Sequence, residues 1–294
     1  MLSKKGTIFF LLAISLFVLS ASFGANSETV QMEDQEYKQD LNRIDSLRKS
    51  FNPGPTNDIK SFEKFADELQ KKWKAKDPEL YAKLMLDICR PITSGRFNTD
   101  ERFNIARKYA LLALSDPNKI TLETELELTG HVKTPMFGPE APKEMELADQ
   151  RKKDVEVRFH AWKRLIDAID PNWDPDDLPT LNIAPPHGVI GGRAGMASKD
   201  IKDPNLRAEY EAAIEKNRQK AERYLEQSRL RDWLKRFPKR AEEYIIRAYS
   251  KPPFDVEELK QYLDKYIADT KTKARILNAV TKNMQAQSEK IPKQ

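Results

Sequence analysis

The chain has 294 residues, of which 39% are apolar and 33% charged, with a formal net charge of +5 and a single cysteine. One cysteine excludes an intramolecular disulfide and any thiolate metal cluster. Residues 25–204 hold 28 basic and 32 acidic groups and residues 205–294 hold 21 and 14, so the two halves lean toward opposite charge and the net +5 overstates any attraction to polyanions.

The N-terminus reads as an export leader. Lys4 and Lys5 precede an apolar run from Ile8 to Leu19, and small residues around Ser22 and Gly24 suit a cut before Ala25. The segment is short for a bilayer, although retention as an uncleaved anchor is the alternative. No later stretch reaches about 18 apolar residues, so no transmembrane span is expected in the mature chain.

Beyond the leader, apolar residues recur every three to four positions and nowhere alternate, which predicts an all-α fold. Tyr37, Leu41, Ile44, Leu47 and Phe51 mark a first helix, stopped at Asn52-Pro53-Gly54-Pro55. Asn57 opens a second, striped by Ile59, Phe62, Ala66, Leu69 and Trp73. Asp77-Pro78 supplies an N-cap and an N1 proline for a third helix running to about Ile92, which carries Cys89 beside its apolar stripe. Asn98 and Glu101 form a capping-box start for a fourth, followed by a weaker helix over 121–129 and a long one from about Pro142 to Ile169.

Residues 173–202 lose the helical stripe and gather Pro175, Pro179, Pro185 and Pro186 ahead of Gly188, Gly191, Gly192 and Gly195, the mark of a Pro/Gly-rich linker or ordered crossover. Asp203-Pro204 then caps a helix reaching Phe237, which Pro238 ends or kinks into a short helix through Tyr249. Asp255 and Glu258 begin a final helix striped from Leu259 to Met284. The expected architecture is a leader at 1–24, an N-terminal helical-hairpin array at 25–172, a crossover at 173–202, and a C-terminal bundle at 203–294 with two long antiparallel helices. An echo between Asp116-Pro117-Asn118 and Asp170-Pro171-Asn172 is generic turn chemistry, since no repeat period accompanies it.

Candidate chemistry is thin. Asp170, Asn172, Asp174 and Asp176 match the early positions of a calcium loop, but Pro175 stands where a positive φ is needed and Leu181 where a bidentate carboxylate belongs. His131, His160 and His187 form no zinc pattern; Glu156 and His160 share a helix face and read as a surface ion pair. Ser46-x-x-Lys49 and Ser61-x-x-Lys64 lack the companion elements of a serine acyl-transfer site. The glycine run lacks the preceding strand and immediate helix of a phosphate cradle, so no cofactor is expected.

One surface stands out. Arg229, Arg231, Lys235, Arg236, Lys239 and Arg240, interleaved with Trp233 and Phe237, could grip an anionic polymer or lipid headgroups. Cations gathered where a helix ends also satisfy its dipole, with the aromatics turned inward. The leading expectation is therefore an exported, non-catalytic helical scaffold or interaction module whose partner is another envelope or secreted protein. Binding of an anionic polymer or membrane surface through residues 229–240 is one alternative, and a helical enzyme whose site converges only in three dimensions is another. No specific nucleic acid is expected.

Overall fold

The computed structural model describes residues 27–50, 59–93, 100–133, 144–180, 182–187, 189, 192, 196–250 and 255–288. The leader at 1–24, the stop at Asn52-Pro53-Gly54-Pro55, the cap at Asn98 and Gly188, Gly191 and Gly195 lie outside these. Among the described residues the fold is all-α: nine α-helices, two short 3-10 turns and no strand. None of these helices is long and apolar enough to cross a membrane.

The helices are α1 (Ser27–Ser50), α2 (Ile59–Trp73), α3 (Pro78–Thr93), α4 (Asp100–Ala113), α5 (Leu122–Thr129), α6 (Glu144–Ala168), α7 (Pro204–Tyr249), α8 (Val256–Tyr266) and α9 (Thr270–Ser288). They form two compact units, each assembled from separate stretches of chain. One takes residues up to Lys38 and Asp170–Arg229, and the other takes Gln39–Ile169 and Leu230–Gln294. The composition boundaries at 173 and 203 both fall inside the first of these.

In the larger unit α2 buries Ile59, Phe62, Phe65, Ala66, Leu69 and Trp73, a stripe at helical spacing. Trp73 donates its indole N–H to Asp40 of α1 at 2.8 Å, which satisfies the one polar atom of that buried ring. Asp77 caps α3 by accepting from Leu80 N at 2.9 Å. Glu79, in the first turn of α3, takes the N–H and hydroxyl of Thr121 at 2.6 and 3.0 Å and so fixes the start of α5. Cys89 is fully buried, its thiol donates to Ala106 O, and burial pushes its pKa up to about 12. It is an inert core thiol.

The second half of this unit's core gathers α5, α6, the end of α7, α8 and α9 around Val155, Phe159, Leu165, Trp233, Phe237, Ile245, Leu259, Leu263 and Val280. Phe159 stacks on Tyr262 and Tyr266 with centroids 5.9 and 5.6 Å apart.

Two boundaries are decided by the structure. Of the two outcomes that Pro238 allowed, α7 does not end there; it runs 46 residues, through Pro238, to Tyr249. An internal proline costs a helix about 3 kcal/mol. Burial of Trp233, Phe237, Ala241 and Ile245, one per turn on both sides of the proline, outweighs that cost, since each large side chain contributes roughly 1.5–3 kcal/mol. The final apolar stripe, expected as one long helix, is two. Ile267 turns extended at φ −114° and ψ 115°, and Asp269 caps α9 by accepting from Thr272 N at 2.9 Å and Thr272 Oγ1 at 2.6 Å. The apolar spacing continues across the break, so periodicity alone passes over it.

In the smaller unit the segment after α6 is tied to the first part of α7. Asp170 pairs with Arg223 and Asp177 with Lys220. Asn217 both donates to and accepts from the Thr180 backbone, at 2.7 and 2.9 Å. The Tyr210 hydroxyl lies 3.1 Å from the carbonyls of Ile183 and Met196. A Cβ on Gly192 would lie 2.6 Å from the Pro185 ring, so glycine is needed for that close approach.

Candidate functional site: a cationic cleft

The larger unit holds a cleft of about 820 Å³. One wall is the end of α5 and the turn after it, with Leu126, Glu127, Thr129, His131 and Lys133; the other is α7, with Trp233, Arg236, Phe237, Arg240, Glu243, Tyr244 and Arg247. Arg158 of α6 closes its base. Five cations thus face two carboxylates.

The α7 wall follows from helical geometry. At about 100° per residue, positions 236, 240, 243 and 247 share one face, while 233, 237 and 244 turn toward the protein. Trp233 and Phe237 are accordingly buried, and Arg236, Arg240 and Arg247 are exposed. The Arg236 guanidinium lies over the Trp233 ring, 3.9 Å from its centroid.

The base is held by a buried network. Asp154, fully buried, accepts from Arg107 Nε at 2.7 Å and from the Tyr244 hydroxyl at 2.7 Å. Arg158 stacks 3.6 Å from the Tyr244 ring centroid and donates to the carbonyls of Asp154 at 2.7 Å and Val132 at 2.5 Å. Those bonds use most of its donors, so Arg158 shapes the cleft and lends it charge. Burial lowers its pKa, yet arginine keeps its proton.

Other cations have less to do. Among the described residues no carboxylate pairs with Lys133, Arg240 or Arg247. Lys133 is held below the ordinary lysine range by desolvation first, then by Arg158 and Arg240, an effect expected of like charges crowded together. His131 has its pKa lowered to about 4 by burial, Lys133 and Arg90. Its Nδ1 lies 3.1 Å from Thr93 Oγ1, and with so low a pKa the imidazole is neutral at pH 7. Of the two acids, Glu127 is neutralised by Arg90 and Glu243 is exposed.

The sequence-derived patch divides here. Trp233, Arg236 and Arg240 line the cleft; Arg229, Arg231, Lys235 and Lys239 do not, and Lys235 pairs with Asp232 at 2.9 Å. Arg247, Lys133, His131 and Arg158 are additions that sequence reading passed over. Arg247 had a signal, the spacing of four and seven from Arg236 through Arg240; the others come from the turn after α5 and from α6 and had none.

The remaining candidates resolve into structure. His160 does not pair with Glu156; its Nδ1 sits 2.7 Å from the buried Glu125, which also takes Arg164 at 2.5 Å. Asp170 and Asp174 accept from the N–H groups two residues on, at 2.9 and 2.8 Å, as turn residues do. Among the described residues no three metal-ligating side chains converge. A second groove in the smaller unit contains Lys220 and Arg223, but Asp177 and Asp170 already neutralise them. No protein-family model, curated protein or solved structure matches the chain. What fold and cleft define is an all-helical chain with a cationic recess.

Proposed function

We infer that the protein is an exported, non-catalytic helical binding module that receives an anionic partner in the cleft between α5 and α7. The observation that carries this reading is the convergence of Lys133, Arg240 and Arg247 on one recess without a carboxylate of their own among the described residues. Holding like charges together is unfavourable unless a ligand repays it. Export rests on the leader at 1–24, which makes another envelope or secreted protein the natural partner.

Magnitudes bound the affinity. An exposed ion pair is worth at most about 1 kcal/mol, so three supply roughly 3 kcal/mol and a dissociation constant near the millimolar range. Trp233 and Phe237 are too buried to add much apolar contact. The binding is weak, salt-sensitive and suited to a reversible contact.

The test is capture from the protein's own envelope by the processed chain, beside an Arg240→Glu, Arg247→Glu variant, with N-terminal sequencing of the recovered product. A partner retained at low salt, released by added salt and missed by the variant is expected, with the chain beginning at Ala25. Equal retention by the variant, or a chain found only in the cytosol with its leader intact, would overturn the reading.

A further inference from the structure

Resting on the cleft's anion-binding reading, we propose that its ligand is a short extended peptide bearing spaced carboxylates, and not a uniformly charged polymer or a lipid surface. The first argument is spacing. On α7, Arg236 and Arg240 are one turn apart, about 6 Å along the axis, and Arg247 lies about 10.5 Å further. An extended chain repeats a side chain on one face every 6.5–7 Å or so, close to the first interval, and about seven residues, with the first, third, fifth and seventh side chains on one face, cover the whole row. Guanidinium groups match carboxylates in paired hydrogen bonds, the ordinary way that arginine clusters read acidic motifs.

The second argument is Glu243. It projects from the same face between Arg240 and Arg247, lines the cleft and is exposed. A polymer with a charge on every unit, or a sheet of anionic headgroups, would set a negative group against it. A peptide can place a neutral or basic side chain there. Glu243 is thus a specificity element: it rejects uninterrupted negative charge and accepts an interrupted pattern. Lys133, on the opposite wall, meets the peptide from the other side.

The experiment titrates the full processed chain with three probes: a capped heptapeptide with glutamate at its first, third and seventh positions and lysine at its fifth, all on one face of an extended chain, inorganic polyphosphate, and phosphatidylglycerol vesicles. Each is repeated with Arg240→Glu, Arg247→Glu and, separately, with Glu243→Gln, after circular dichroism shows unchanged helix content. We expect the peptide to bind, to weaken at least fivefold with the double reversal, and to weaken about threefold with Glu243→Gln. Polyphosphate or vesicles binding more tightly than the peptide, and improving with Glu243→Gln, would sink the peptide assignment and leave the anion-binding cleft standing. If no probe binds, or if the peptide binds regardless of the arginines, both fall.

Discussion

Asp154 is the residue on which the cleft's base depends. Its carboxylate has no exposed surface, and its partners are Arg107 and the Tyr244 hydroxyl, with Arg158 bound to its own carbonyl. Replacing it by alanine leaves the Arg107 charge buried without a counter-ion. We expect Asp154→Ala to destabilise the fold by about 3–5 kcal/mol, read as a lowered urea midpoint. A change under about 1 kcal/mol would mean that the network carries no weight. His131 gives a pH-dependent companion. Its folded pKa of about 4 lies below the 6.5 of the free side chain, so between those values the unfolded chain binds a proton that the fold refuses. Stability from this group is complete above pH 6.5 and declines as pH falls toward 4. His131→Gln should remove that decline, up to about 3 kcal/mol of the difference between wild type and variant across the window. Parallel pH profiles would contradict it. Neither residue was legible as part of a site. A charge in a sequence reads as surface, and what buries Asp154 comes from α4 and α7, distant positions that no local pattern links.

At the scale of elements the sequence was more informative, because capping and periodicity are local. Asp77 before Pro78 located the start of α3, and the Ile59-to-Trp73 stripe located α2. Local rules fell short where tertiary packing decided the outcome. Pro238 is a helix breaker by backbone chemistry, yet α7 continues because buried side chains flank it on both sides. Pro238→Ala restores a missing N–H and should raise stability by about 1–3 kcal/mol, measured by thermal unfolding. A loss of stability would show that the proline is needed for the packing around it. An error occurred at Ile267, where an unbroken apolar spacing hid the cap at Asp269. The basic patch was legible as composition but not as a face. Arg236 and Arg240 share their stripe with Arg247, whereas Lys235 and Lys239 point elsewhere on the helix.

For the whole molecule, composition and periodicity sufficed to read an all-helical chain, while the units themselves were hidden because each joins stretches far apart in sequence. The α7 residues that line the cleft lie a hundred or more positions beyond Lys133, so the recess exists only in the folded chain. Its existence as a ligand site can be checked at the arginines themselves. NMR of the Nε–H groups should show Arg236, Arg240 and Arg247 shifting together as the acidic heptapeptide is added, with the shifts reversed by salt. Arg218, held by Glu215 and Glu222, and Arg275, held by Glu242, should stay in place. Equal movement of all five, or movement of the paired arginines alone, would contradict a cleft built to receive negative charge.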